Sequence, residues 1–236
     1  MKEEQRDRGM PRTYDRVYES EQTVGNYDDR RFGGPGGRYV FDRELTVVKH
    51  FLADVDGTIL DLPCGTGLLS SQLKEADCTV ISADASGLMS AVTARRSTSE
   101  SVVLCDAFAL PFPDDSIDAT VTIRLFQHYP GESIEKILSE LRRVVAPSGK
   151  IIFDTFRWSP RNTPFFSDGV YTYAPDEIEA VISRVDLEPV ANRSMFLVSP
   201  IVYRKCPSPL VSALDRIERS LPEKFLVRTI WCCRVR

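Results

Sequence analysis

Ile59-Leu60-Asp61-Leu62-Pro63-Cys64-Gly65-Thr66-Gly67 is the stretch whose reading decides the fold. An apolar run ends in an acid, a turn with two glycines follows, and an amphipathic segment starts at Leu68 and Leu69. Glycines in such a turn allow backbone conformations, and close approaches to a ligand, that a Cβ forbids. Two further acids, Asp84 and Asp106, end strand-like runs of their own, at separations of 84 − 61 = 23 and 106 − 84 = 22 residues. Each interval is about one strand-helix-strand step, so the three carboxylates are expected at strand tips facing one crevice.

Working outward, apolar periodicity predicts strands at 58–62, 78–83, 101–104, 117–123 and 150–155. Helices are predicted at 67–75, 86–95 and 132–145, the second capped by Ser86 and the third stopped by Pro147-Ser148-Gly149. An amphipathic helix at 42–52, carrying Leu45, Val48, Phe51 and Leu52, precedes them. Beyond Thr155 the pattern loosens to a helix at 175–184, a strand within 187–198, a helix at 207–219 and a final strand within 224–236. Asp176 and Glu177 in the first turn of the helix at 175–184 suit its dipole. A basic membrane-surface helix is the alternative for the tail. Strands alternating with helices imply an α/β fold, a Rossmann-like doubly wound, mostly parallel sheet with helices on both faces.

The expected organisation is an N-terminal arm or cap at 1–41 and one domain at 42–236. That domain divides into a cofactor half at 57–155, substrate-side elements at 156–223 and the final strand at 224–236. Within the arm, Phe32-Gly33-Gly34-Pro35-Gly36-Gly37-Arg38 reads as a flexible hinge or loop. The arm is either partly ordered or a mobile cover that folds over an occupied pocket.

Composition narrows the function classes. With 236 residues, 42% hydrophobic and 27% charged, the chain can bury a substantial core. A net charge of −4 argues against a mainly electrostatic nucleic-acid binder. No stretch approaches the roughly 18 apolar residues of a membrane span, and the charged N-terminus shows no secretory signal. The six cysteines form no C-x-x-C pair and the two histidines lie apart from any ligand cluster, so no metal site is expected. A reducing cytoplasm is the economical setting. The vicinal Cys232-Cys233 is either an ordinary strand pair or a redox pair. Oligomeric state is not legible in the sequence.

At the second strand tip, Asp84 beside Ala85 is placed to accept hydrogen bonds from ribose hydroxyls. Asp106 with Ala107 and Phe108 is placed to meet an adenine. Asp61 faces the glycine turn with no cation nearby in sequence, which suits an ammonium better than a phosphate. The dinucleotide fingerprint wants G-x-G-x-x-G, but Gly65-Thr66-Gly67-Leu68-Leu69-Ser70 lacks the third glycine. A cationic nucleoside without phosphates fits better, and S-adenosyl-L-methionine is the common one.

Taken together, Leu60 to Gly67, Asp84, Cys105-Asp106-Ala107 with Leu110-Pro111-Phe112, and Asp114 to Asp118 resemble the class I S-adenosylmethionine-dependent methyltransferases. The flavour is that of the group including the ubiquinone and menaquinone biosynthesis methyltransferases, over about residues 57 to 155. The resemblance implies a seven-stranded sheet with an antiparallel last strand. It also implies that Asp61 and the Gly65-Thr66-Gly67 turn hold the methionine moiety, Asp84 the ribose, and Asp106 with Ala107 the adenine, with Pro63 and Cys64 also at the cofactor. Pro63 departs from the family's usual glycine, so the turn has to tolerate a fixed φ and a missing N–H there.

After the fourth strand, His128 is a candidate general base, or a histidine that only bridges loop and backbone. Arg124 is a candidate cofactor-side or substrate clamp, or a structural ion-pair partner. Acceptor walls are expected from the arm, the loop after the fourth strand, Phe156-Arg157-Trp158 and the segment around Tyr203, whose aromatic content suggests a small organic or lipid-like acceptor. The competing readings are a catalytically silent nucleoside-binding relative and an NAD-dependent oxidoreductase.

Overall fold

The computed structural model describes residues 20–73, 78–96, 101–159 and 170–236. Its strands are β1 (Gly57–Asp61), β2 (Cys78–Asp84), β3 (Val102–Leu104), β4 (Ile117–Thr122), β5 (Val145–Phe156), β6 (Leu187–Met195) and β7 (Arg228–Val235). Among the described residues the α-helices are α1 (Glu21–Gly25), α2 (Tyr27–Phe32), α3 (Gly34–Leu52), α4 (Ser70–Leu73), α5 (Gly87–Arg96), α6 (Gly131–Val144), α7 (Pro175–Arg184), α8 (Pro200–Arg204) and α9 (Ser208–Ser220). The strands form one sheet in the order β3-β2-β1-β4-β5-β7-β6. Strands β1 to β5 are parallel, and β7 is antiparallel to both β5 and β6. This is the doubly wound sheet the sequence predicts. Strand order reverses between β1 and β4, which places the ligand crevice beyond the C-terminal end of β1.

Two-sided burial is the reason the apolar runs become central strands. Along β5, Ile151 and Phe153 enter one core cluster and Ile152 the other; along β7, Trp231 and Cys233 oppose Ile230 and Cys232. Side chains alternate across a strand, so such a run needs cover on both faces. Helix α6 covers one face with Ile134, Ile137, Leu138 and Leu141, all 0% exposed. Each such burial is worth about 1.5–3 kcal/mol. Helix α3 covers the other face with Val40, Val48, Phe51 and Leu52.

Several expectations are corrected. The helix predicted from 42 begins at Gly34, so residues 34–38 of the expected hinge or loop are helical, and Gly33 alone breaks the chain between α2 and α3. Two of its glycines are packing residues: a Cβ on Gly36 would lie 1.7 Å from the Tyr203 carbonyl oxygen, and one on Gly37 2.6 Å from the Phe32 carbonyl carbon. Pro35 sits in the first turn, where its missing N–H leaves nothing unpaired. Pro147-Ser148-Gly149 lies within β5 as a bulge, because pairing with β4 jumps from Ile117↔Val145 to Ala119↔Lys150. The helix predicted at 67–75 starts only at Ser70, because Gly67 to Leu69 still belong to the turn, and residues 74 and 75 lie outside the described residues.

The tail is strand β7, inserted between β5 and β6, not a membrane-surface helix. Cys232 and Cys233 therefore point to opposite faces, and all six thiols are free. Burial pushes the Cys233 thiol up to about 12, the opposite of a reactive thiolate. No helix among the described residues is long and apolar enough to cross a membrane.

Candidate functional site

The loop after β1 is tied down from both sides. The Cys64 N–H bonds the Ala83 carbonyl on β2 at 2.8 Å, and the Gly67 N–H bonds the Cys64 carbonyl at 2.9 Å. Gly65 and Gly67 adopt φ of 57° and 75°, where other residues are strained. A Cβ on Gly67 would come within 2.8 Å of Thr93 on α5, whereas one on Gly65 meets nothing within 4 Å. Gly67 is thus needed for packing, and Gly65 leaves a backbone face open. Asp84 grips the same loop, accepting from the Gly65 N–H at 2.9 Å and the Ser86 N–H at 2.8 Å.

Asp61 is buried beneath this loop at 1% exposure. It accepts a hydrogen bond from the Ser70 hydroxyl at 2.5 Å, and Ser70 accepts one from Ser82 at 2.9 Å. Burial pushes the Asp61 carboxyl up to about 7, against the Ser70 hydrogen bond and the nearby charge of Arg124. The expectation that no cation stands near Asp61 is therefore corrected: Arg124 arrives from the far end of β4. Ser70 occupies the place of the third glycine in a dinucleotide fingerprint, and its side chain is committed to Asp61. That gives the NAD reading no support. Burial also raises the Asp84 carboxyl above the ordinary range.

Pro63, Cys64, Gly65, Thr66 and Asp84 line one cleft together with Arg124 and His128. Gly67 and Ala85 flank those residues without lining the cleft. Asp106, Ala107 and Phe108 do not line it either. Asp106 lies two residues past β3 and accepts the Phe108 N–H at 3.0 Å, Ala107 is in the core, and Phe108 packs edge-on against Tyr129 with centroids 5.4 Å apart.

The remaining wall was only coarsely foreseen. Tyr27, Arg31 and Phe32 of α2 and Phe41 of α3 line the cleft, as does Met89 of α5. Asp28 on α2 fastens this cover: it accepts from the Thr66 hydroxyl at 2.5 Å and pairs with Arg96 of α5 at 2.5 Å. The first nineteen residues of the arm lie outside the described residues. Tyr203, expected as acceptor wall, is instead 0% exposed in the core with its hydroxyl donating to Glu218, and Trp158 is 70% exposed.

Arg124 has φ of 68°, in the left-handed region. Its guanidinium pairs with Glu44 and stacks over Phe32 at 4.6 Å, while its N–H donates to Asp154 at 2.5 Å. Arg228 of β7 completes a buried quartet, pairing with Glu44 and with Asp154 at 2.6 Å. Sequence reasoning missed this quartet. A signal was present: Glu44 falls on the Val40-Val48 stripe of an amphipathic helix, where a charge needs a buried partner. His128 places Nε2 3.0 Å from Gln127 Nε2. Burial, with the charge of Arg31, lowers it to about 4, so the ring is neutral at neutral pH.

Residues 60–153 match the family model described as a methyltransferase domain. A demethylmenaquinone methyltransferase of Thermus thermophilus is 33% identical over 147 residues, which is 52% of this chain and 66% of that protein. The chain thus spans just under two thirds of that relative's length. Among solved structures, a Haemonchus contortus phosphoethanolamine N-methyltransferase 2 with bound S-adenosyl-L-methionine superposes with a TM-score of 0.68 at 19% identity, covering 93% of this chain and 58% of that one. The cyclase SpnF superposes at 0.62 and 16% identity, covering 91% and 96%. At such identities the likeness is one of fold, and the fold alone houses more than one activity.

Proposed function

We propose that this chain carries a class I S-adenosylmethionine-dependent methyltransferase domain and transfers a methyl group from S-adenosyl-L-methionine to a small organic or lipid-like acceptor, a reading supported by the match of residues 60–153 to a methyltransferase domain and by the likeness of fold. The observation that carries the reading is the glycine loop bound to Asp84, with Gly65 open to the cleft and no lysine or third glycine of a phosphate-binding turn. Those residues fit a cationic nucleoside: a Cβ-free backbone face stands beside two buried carboxylates of adjacent strands, a donor set that repels phosphate and welcomes positive charge. Asp61 and the turn from Pro63 to Gly67 would hold the methionine part, Asp84 with Ala85 the ribose, and Asp106, Ala107 and Phe108 the adenine. When bound, the cofactor supplies a methyl group already activated by its sulfonium.

The chain then has to provide alignment and dryness. In-line positioning is worth about 7–11 kcal/mol in favourable cases. Phe32, Phe41 and Ile123 line the cleft and exclude water from it. His128, neutral beside Gln127, orients a bound group by hydrogen bonding and is too weak a base to remove its proton. The Thermus relative's name supports a lipid-like acceptor here. The six free thiols support a reducing, cytoplasmic setting, and the net charge of −4 weighs against nucleic acid as partner.

Incubating the chain with labelled S-adenosylmethionine and a panel of phenols, quinols and lipid acceptors tests the proposal. Acceptor-dependent formation of S-adenosylhomocysteine is expected. Cofactor binding with no turnover on any acceptor would favour a silent nucleoside-binding relative instead. With the true acceptor, His128→Gln is expected to leave the pH dependence of kcat between about pH 6 and 7 unchanged, because that is the ordinary histidine range and His128 is lowered to about 4, whereas Asp61, raised to about 7, titrates in that window in both proteins.

A further inference from the structure

Gly65 is the loop glycine whose open backbone face lines the cleft. Glycine has more backbone freedom than any other residue, so an unrestrained Gly65 would have to be ordered whenever a ligand binds. The fold restrains it from both sides. Its N–H, in the peptide plane before the Cα, donates to Asp84 Oδ2 at 2.9 Å. Its carbonyl, in the plane after the Cα, accepts from the Thr93 hydroxyl on α5 at 2.8 Å. Peptide units are planar, so holding the unit on each side of the Cα fixes both φ and ψ. Gly65 is thereby kept at φ of 57°.

Thr93 departs from the habit of its residue type. A threonine inside a helix commonly returns its hydroxyl to a carbonyl one turn back. Thr93, 0% exposed, sends it out of the helix to the loop. A hydroxyl has one proton to donate, and the Gly65 carbonyl takes it. The 3.7 Å contact of Thr93 Oγ1 with Cys64 Sγ then runs from thiol to hydroxyl, a chain from Cys64 through Thr93 to Gly65. Burial pushes the Cys64 thiol well above its ordinary range, so it keeps the proton it donates. Met89, one turn before Thr93, lines the cleft, and Arg96, one turn after it, pairs with Asp28. One face of α5 thus meets the cleft, the glycine loop and the cover.

We propose that Thr93 is a positioning residue for the cofactor: its hydroxyl presets the Gly65 backbone in the conformation that receives the methionine part of S-adenosyl-L-methionine. The inference rests on the methyltransferase reading of the cleft and deepens it. Thr93 does not itself line the cleft, so it acts through the loop and takes no part in bond making. Conformational freedom lost on folding is not lost again on binding, which is how a side chain out of the ligand's reach raises affinity.

Calorimetric titration of the full chain with S-adenosylhomocysteine, and separately with adenosine, which lacks the methionine part, tests this. Thr93→Val keeps the side chain's shape and removes the hydroxyl. It is expected to bind S-adenosylhomocysteine about three- to tenfold more weakly, with adenosine affected less. Thr93→Ser, which returns the hydroxyl, is expected to recover most of the loss. Urea midpoints without ligand show whether each variant is folded; should Thr93→Val not fold, Thr93→Ala takes its place with the same expectation. Wild-type affinity without the hydroxyl, equal losses for the two ligands, or a Thr93→Ser no tighter than the variant lacking the hydroxyl would overturn the positioning role and leave the methyltransferase reading standing. Failure of the wild-type chain to take up S-adenosylhomocysteine would overturn both.

Discussion

Asp61 shows at the scale of one residue how a strand tip can store the capacity to meet a cation. Its folded pKa is raised from 3.8 to about 7, chiefly by burial. A raised carboxyl contributes stability that is present below its unfolded value and is lost as pH climbs through the folded one. The ligand-free protein is therefore expected to lose stability between about pH 4 and 7, and Asp61→Asn to flatten much of that decline. Urea midpoints across that range measure it; a wild-type curve as flat as the variant's would contradict the burial argument. The three acids were legible because spacing alone marks strand tips. Their contacts were not, since Ser70 and Arg124 reach Asp61 only once the chain has folded. Asp106 sits past β3 as expected, and its carboxylate accepts the Phe108 N–H within its own turn, a contact that spacing does not show.

At the scale of elements, the cover formed by α2 and α3 depends on two local devices. Gly36 lets α8 approach α3, and a methyl there would collide with backbone that cannot yield. Gly36→Ala is expected to destabilise the fold by about 1–3 kcal/mol, read as a lower denaturant midpoint. Asp28 pins α2 to both Thr66 and Arg96. Asp28→Ala is expected to speed release of S-adenosylhomocysteine by about three- to tenfold, the worth of one partly exposed hydrogen bond. Stopped-flow displacement would show it, and an unchanged release rate would remove the latch from the account. The sequence was misleading here. Glycine and proline in one run look like a hinge by composition, but they also suit the first turn of a helix that other elements crowd. Only the neighbours Tyr203 and Phe32 decide between the two.

Across the whole molecule, the doubly wound sheet was legible because alternating strands and amphipathic helices leave few ways to cover both faces. The quartet of Glu44, Arg124, Asp154 and Arg228 was not, because it joins α3, the end of β4, β5 and β7, which lie far apart in sequence. Removing one acid strands buried cations, so Glu44→Ala is expected to cost about 3–5 kcal/mol in a denaturant melt. The quartet ties Arg124, in the wall of the cleft, to the sheet that carries the glycine loop. The most direct measurement is a titration of S-adenosylhomocysteine, and separately NAD, into the wild-type chain and into Asp84→Ala. S-adenosylhomocysteine is expected to bind the wild type, NAD not to bind, and the folded variant to lose at least about tenfold in affinity. Uptake of NAD in place of S-adenosylhomocysteine, or an affinity for the latter indifferent to Asp84, would contradict the account.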